Sequence, residues 1–374
     1  MKQKILILGG TGAMGVYLCE ELFQHPDYEV YITSRSPRAS RGNLHYLCGN
    51  AHHSHFLAHC LETLQPDAVV DFMIWTTAEF EAVSSMLLEH TKHYLFLSSY
   101  RVFAEQNPLT EHSARLLDVC TEAAYLQTDE YALAKARQEN ILRKSDKKNW
   151  TILRPCITYS KNRFQLGCLE AGVICLRSFQ HLPVVIAKPM LDKQTTLTWG
   201  GDTARLIAKL ILNPKAYAED FNLSTAEHHT WREVASYYQE ILGTIIQPVT
   251  LDEYISLMGG PWQTKYDRMF DRVLDNTKVL AATGYTQEQF MPLKEGLKRE
   301  LTAFKQHPVF SHHEPWQNAR MDRICHTAIS LKGYSLQEKV VYYIGRYPLL
   351  AHFVPLQTAK KLKKLLSKSK KICH

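Results

Sequence analysis

Tyr131-Ala132-Leu133-Ala134-Lys135 sets a phenol and an ammonium at i and i+4, one face of a helix and one pocket. A neighbouring cation favours phenolate and lowers a tyrosine pKa from its ordinary ~10 toward values useful for proton transfer. Upstream, Tyr94-Leu95-Phe96-Leu97-Ser98-Ser99 is an apolar run that ends in two hydroxyls. Ser99 is suited to hydrogen-bond an alcohol or carbonyl while Tyr131 moves its proton. A third group lies near the start of the chain, where Lys4-Ile5-Leu6-Ile7-Leu8 runs into Gly9-Gly10-Thr11-Gly12-Ala13-Met14-Gly15. In this G-x-x-G-x-x-G spacing the first glycine permits a tight turn and the second lets backbone approach a pyrophosphate. The third lets the next helix pack close to the strand. That helix, expected from Val16 to Phe23, would direct its unpaired N–H groups at the anion.

The elements that must hold these groups follow a strand–helix rhythm. Strands are expected at Lys4–Leu8, Glu29–Thr33, Asn43–Leu47, Ala68–Ile74, Tyr94–Ser98 and Trp150–Leu153, with helical periodicity at His55–Leu64 and Phe80–His90. Alternation of this kind predicts an α/β fold, a Rossmann-type doubly wound parallel sheet whose strand ends form the ligand crevice. Residues 1–156 read as the dinucleotide-binding domain, with later strands returning to its sheet near 195–225. Residues 157–306 read as a smaller C-terminal substrate-binding region, in which Trp231–Leu242 is a helix behind Thr230 as N-cap. Residues 307–374 form an extension with a basic helical tail, and Gln337–Tyr343 within it fits helix or strand equally.

Bulk properties narrow the class. With 374 residues, 45% hydrophobic and 22% charged, the chain has an ordinary globular composition. Nine scattered cysteines without a C-x-x-C pair predict reduced thiols rather than a disulfide framework or a zinc site. The first strand begins almost at Met1, which predicts no secretory leader and a cytoplasmic protein. His52, His53, His55 and His59 cluster without a completing carboxylate or cysteine, so no metal site is expected. Of 44 basic residues, seven are lysines within residues 355–374, where no acid occurs, leaving 37 basic against 37 acidic in the body. A neutral body excludes a nucleic-acid-binding surface spread over the fold. In the tail, Leu356, Ala359, Leu362 and Leu366 recur at helical spacing among the lysines. Such a helix suits peripheral contact with an anionic membrane or a partner, with Tyr342, Tyr343, Tyr347 and Phe353 as interfacial aromatics, and the bland alternative is a solvated terminus.

Taken together, Gly9–Gly15, Ser98-Ser99-Tyr100-Arg101-Val102-Phe103, Tyr131 to Lys135 with Glu139, and Leu153-Arg154-Pro155 resemble the extended short-chain dehydrogenase/reductases, in their nucleotide-sugar epimerase/dehydratase branch. Gly201-Asp202-Thr203-Ala204 and Asp275-Asn276-Thr277-Lys278 extend the likeness to about residue 305. The resemblance implies Ser99, Tyr131 and Lys135 as the catalytic set, with Lys135 also holding the nicotinamide ribose. It implies cofactor contacts from Gly9, Thr11, Gly12, Ala13, Met14, Gly15, Ser34, Arg35, Asn50, Met73 and Pro155. The second strand ends in Thr33-Ser34-Arg35-Ser36 where an NAD site would carry an acid, which favours NADP with NAD as the alternative. Phe72-Met73-Ile74-Trp75 stands where the family has small residues, and Ile157 replaces its usual asparagine. The Thr-Asp-Glu triplet of sugar dehydratases is missing beside Ser99, while Thr128-Asp129-Glu130 precedes Tyr131. Dehydration is therefore disfavoured. Epimerisation or ketoreduction of a nucleotide-sugar substrate remains, and a homodimer stays open. The alternatives are a reductase of a non-sugar carbonyl compound and a non-catalytic dinucleotide-sensing or RNA-binding protein on the same fold.

Overall fold

A computed structural model describes residues 2–161, 163–310 and 312–347. The lysine-rich segment of the tail lies outside them. The chain divides into two compact units, the first formed by residues 1–160, 194–228 and 270–296, the second by the remainder.

In the first unit, β1 (Gln3–Leu8), β2 (Tyr28–Ser34), β3 (Leu44–Cys48), β4 (Ala68–Asp71), β5 (His93–Leu97), β6 (Trp150–Pro155) and β7 (Glu219–Leu223) form one parallel sheet. Its order is β7-β6-β5-β4-β1-β2-β3. Because both faces are covered, the strands are apolar throughout rather than alternating. Ile5 and Ile7 of β1 join one core with Leu18 and Leu22. Leu6 and Leu8 join the opposite core with Leu57, Leu61 and Phe80. The helices supplying these layers are α1 (Gly15–Phe23), α2 (Ser54–Leu64), α3 (Thr77–Glu89), α4 (Tyr131–Lys144) and α5 (Gly200–Leu210). Helix α3 starts on a reciprocal capping box between Thr76 and Glu79.

Two strands differ from their sequence patterns. The apolar run Ala68–Ile74 stops being strand at Asp71, because the Asp71 carboxylate accepts the Met73 N–H at 2.8 Å and turns the chain out of the sheet. Leu197–Trp199 pairs with Ile157–Tyr159 as a separate two-stranded piece, while Glu219–Leu223 supplies the sheet's outer strand beside β6.

The second unit holds a parallel pair, Pro183–Ala187 with Ile245–Val249, and helix Ala171–Phe179. It also holds α6 (Trp231–Leu242), α7 (Pro315–Cys325) and α8 (Leu336–Arg346). Helix α6 begins at the Thr230 cap and ends on Gly243 with φ 70°, a left-handed terminus that glycine adopts without strain. The segment 337–343 is helical within α8, which starts on a Ser335–Glu338 capping box. Helix α7 is fixed to helix Ala171–Phe179 by a fully buried Arg177–Asp322 ion pair at 3.0 Å. Asp322 also accepts from Tyr342 Oη at 2.7 Å, so Tyr342 is an internal residue, while Tyr343 and Tyr347 are half exposed.

Candidate active site

The glycine turn after β1 is built from three different requirements. Gly9 has φ +70°, and its N–H donates to Thr33 Oγ1 at 3.0 Å, which ties the turn to the end of β2. A Cβ on Gly12 would meet only the Gly9 carbonyl oxygen, at 3.6 Å, so backbone is open to an approaching group there. A Cβ on Gly15 would sit 2.6 Å from Gly10 Cα, so α1 can pack this closely only without a side chain. Helix α1 has no capping side chain at Met14 and no acid in its first turn. An open glycine, an uncapped helix start and no local negative charge fit the pyrophosphate of a dinucleotide.

Tyr131 is the first residue of α4, where Glu130 caps the helix by accepting the Ala132 N–H at 2.8 Å. Lys135 follows one turn later and is buried. Its ammonium lies 3.4 Å from the Met73 carbonyl oxygen, 4.5 Å from the Phe96 ring centre and 6.0 Å from that of Tyr131. Burial pulls the Lys135 pKa down to about 8, against the opposing pull of Asp71 and Glu139. Ser99 follows β5 and caps the short helical turn Tyr100–Val102, accepting the Arg101 N–H at 3.3 Å. Arg101 then spans the gap to α4, with its guanidinium 5.3 Å from the Tyr131 ring centre and 2.5 Å from Glu130 Oε1. Leu97 pairs with Leu153, so Ser99 and Pro155 each lie two residues beyond one register pair, at the same edge of the sheet. Ser99 and Pro155 thus lie at one end of β5 and β6, and Tyr131 and Lys135 come from the first turns of α4, which Arg101 ties to the turn after β5.

One more turn along α4, the buried Glu139 fixes this arrangement. Its Oε1 accepts from Ser98 Oγ at 2.6 Å and Arg154 Nε at 2.8 Å, and its Oε2 accepts from Arg154 Nη2 at 2.8 Å and Arg115 Nη1 at 3.2 Å. Tyr131, Lys135 and Glu139 therefore line one face of α4 at intervals of four.

Asp71 is a residue that sequence reasoning missed. It is buried at the end of β4 and accepts from Tyr94 Oη at 2.6 Å and Trp75 Nε1 at 2.8 Å besides the Met73 N–H. The bulky segment after β4 consequently divides: Trp75 turns inward to Asp71, Ile74 is 69% exposed, and Met73 Sδ approaches Gly9. The signal available in the sequence was an acid closing an otherwise apolar run. Asp71 both shapes the loop whose Met73 carbonyl receives Lys135 and raises the affinity of that ammonium for its proton. Asp71→Asn is expected to lower the pH at which Lys135 loses its charge. If Lys135 acts in its charged form, any alkaline fall in activity that it governs should move to lower pH. A pH–rate profile of the variant checks this, and an unmoved alkaline limb contradicts it.

The β2 and β3 ends are less assembled. Ser34 Oγ donates to the Ser36 carbonyl at 2.7 Å, while Arg35 is exposed. Arg38 and Arg41 rest over Tyr46 and Phe23, at 6.0 and 4.3 Å from the ring centres. Asn50 Oδ1 accepts the His52 N–H at 3.2 Å, a local turn contact, and His52 packs edge-on against Trp75. The Thr128-Asp129-Glu130 triplet is committed to structure: Thr128 Oγ1 bonds the Tyr125 carbonyl, Asp129 accepts from Thr77, and Glu130 caps α4.

The sequence profile of the NAD dependent epimerase/dehydratase family matches residues 5–224. Among solved structures, UDP-glucose 4-epimerase from Thermus thermophilus in complex with NAD has a TM-score of 0.61 at 19% identity, covering 82% of this chain and 100% of its own. dTDP-glucose 4,6-dehydratase from Bacillus anthracis in complex with NAD has a TM-score of 0.62 at 15% identity, covering 82% and 97%. UDP-glucuronic acid 4-epimerase from Bacillus cereus, in complex with UDP-glucuronic acid and NAD, has a TM-score of 0.62 at 16% identity, covering 81% and 99%. No curated protein matches the chain by sequence.

Proposed function

The chain belongs to the NAD dependent epimerase/dehydratase family, enzymes of the extended short-chain dehydrogenase/reductase type, and from that premise we propose that it is an epimerase or ketoreductase of a nucleotide-activated sugar. The observation that carries this reading is the placement of Tyr131 and Lys135 on the first turns of α4, joined through Arg101 and Glu139 to the Ser98-Ser99 end of β5. A bound nicotinamide would supply hydride exchange at carbon. The glycine turn Gly9–Gly15, with Thr11, Ala13 and Met14, would hold its pyrophosphate, Lys135 its ribose, and Met73 and Pro155 would border it. Ser99 would hydrogen-bond the substrate oxygen, Tyr131 would give or take the proton at that oxygen, and the Lys135 ammonium would favour the phenolate form of Tyr131. The structural commitment of Thr128, Asp129 and Glu130 supports epimerisation or ketoreduction over dehydration. Nucleotide-sugar binding by the Bacillus cereus protein supports the substrate class. The test is incubation of the purified protein and cofactor with UDP- and dTDP-sugars, read by product analysis and nicotinamide absorbance. Turnover confined to non-sugar carbonyl compounds would overturn the reading.

NADP(H) is the cofactor this reading favours, since no acid follows β2 to hold a free ribose hydroxyl and Arg35 supplies an exposed guanidinium for a 2′-phosphate. Ser34, whose hydroxyl already serves Ser36, would contribute only by exchanging that bond. Arg35→Asp is expected to weaken NADP(H) binding by about 10-fold or more and shift preference toward NAD(H). Fluorescence titration of both cofactors against both proteins decides it. Tighter NAD(H) than NADP(H) binding by the unsubstituted protein is the contrary result.

A further inference from the structure

Two opposite charges meet beside Tyr131, one from the start of its own helix and one from the turn after β5. The Arg101 guanidinium lies 5.3 Å from the Tyr131 ring centre and 2.5 Å from Glu130 Oε1, with the two charged side chains only 13% and 15% exposed. Glu130 directly precedes Tyr131, and its other oxygen accepts from the Ala132 N–H at 2.8 Å and from Tyr125 Oη at 3.1 Å. Burial, and then the Glu130 charge, push the Tyr125 hydroxyl up, so it stays a donor to that carboxylate. The remaining charges nearby are already balanced among themselves. Lys135, 6.0 Å from the ring centre, is supported by Asp71 and Glu139, and Asp129 pairs with Arg137 at 3.3 Å.

We propose that Arg101 and Glu130 are positioning residues that set the proton affinity of the Tyr131 phenol in opposite directions. This rests on the reading of Tyr131 as the proton carrier. Capping α4 requires only Glu130 Oε2, and a carboxylate beside a phenol opposes phenolate formation. Arg101 holds the other oxygen, Oε1, and places its own cation near the ring, so the cap is kept while its charge is offset. Because both side chains are mostly shielded from water, removing either one leaves Tyr131 facing the other with little screening. Arg101 also joins this balance to the substrate-side hydroxyl, since its N–H donates to Ser99 Oγ at 3.3 Å.

The test reads Tyr131 directly, by NMR on the full chain with tyrosine isotope-labelled at Cζ. Its resonance is the one that Tyr131→Phe removes, and no substrate is needed. Arg101→Met should move the Tyr131 titration to higher pH by about one pH unit. Glu130→Gln, which keeps an oxygen for the cap, should move it to lower pH by about the same amount. Arg101→Lys keeps the cation and should titrate close to wild type. Circular dichroism follows folding, and if Arg101→Met does not fold, the sign of the Glu130→Gln shift decides. An unmoved titration in Glu130→Gln, or shifts of the same sign in Glu130→Gln and Arg101→Met, would overturn the proposal, because a purely structural clamp carries no sign. The pH–rate profiles of the same proteins separate this from the active-site reading. Displaced titrations with unmoved profiles would uphold the pair and count against Tyr131 as the proton carrier.

Discussion

Tyr131→Phe is expected to lower turnover by ~10²–10⁴-fold, the range ordinarily lost with a general acid–base group, and to leave cofactor affinity nearly intact. The ring stays, so its packing against the Arg101 guanidinium at 5.3 Å is retained and only the proton-carrying oxygen is removed. Lys135 is expected to behave differently, because in the proposed reading its buried ammonium would both favour the phenolate and bind the cofactor ribose. Lys135→Met should therefore damage affinity and turnover together, whereas Tyr131→Phe separates them. The sign of the pH dependence follows from burial. A lysine held down to about 8 is charged below that value and neutral above it, so the wild-type rate should fall as pH rises past 8. Single-turnover measurements on wild type and Tyr131→Phe, with cofactor affinity measured in parallel, distinguish these effects. A Tyr131→Phe protein turning over at near-wild-type rate would remove Tyr131 from the chemistry.

Local rules made the scaffold readable. The run Lys4–Leu8 before Gly9, the alternation of apolar runs with helical periods, and Thr230 before Trp231 each state a conformation within a few residues, and β1, the parallel sheet and α6 follow from them. Tyr131 and Lys135 were legible for the same reason, as an i, i+4 pair depends only on helix geometry. What the sequence hid was long-range. Asp71 reads as the end of a strand, and its partner Tyr94 lies 23 residues away, reached only because β4 and β5 are neighbours. Phe72–Trp75 stands where the family has small residues, and Trp75 is drawn inward by Asp71, a hydrogen bond that composition does not announce.

Glu139→Gln is the substitution expected to cost most in stability, ~3–5 kcal/mol, because it leaves a buried guanidinium without its main counter-charge. Glu139 and Arg154 are both almost completely buried and joined by two bonds of 2.8 Å. Arg154 Nη1 reaches Asp220 Oδ2 at 2.9 Å, and Arg143 and Lys278 also meet that aspartate, so Arg154 keeps only a shared anion in the variant. A fall in Tm on the order of 10 °C is expected. Burial by itself would raise the Glu139 carboxyl, but Arg154, Ser98 and Arg115 outweigh it and hold the pKa below the ordinary 4.5. A depressed carboxyl stabilises the fold above its unfolded value and loses that contribution as pH falls through its folded value. Wild-type stability should therefore decline on acidification below about 4.5, and the glutamine variant should lack that part of the decline. Replacing Arg154 by methionine as well should recover part of the loss, since the pair is then removed rather than broken. The same variants bear on catalysis. Glu139 holds Ser98, the neighbour of Ser99, so its loss should lower kcat through misplacement of Ser99 even where the protein remains folded. Thermal unfolding across pH, with kcat measured below the transition, checks both effects. An unchanged Tm would show that the buried pair contributes little to holding β6 against α4.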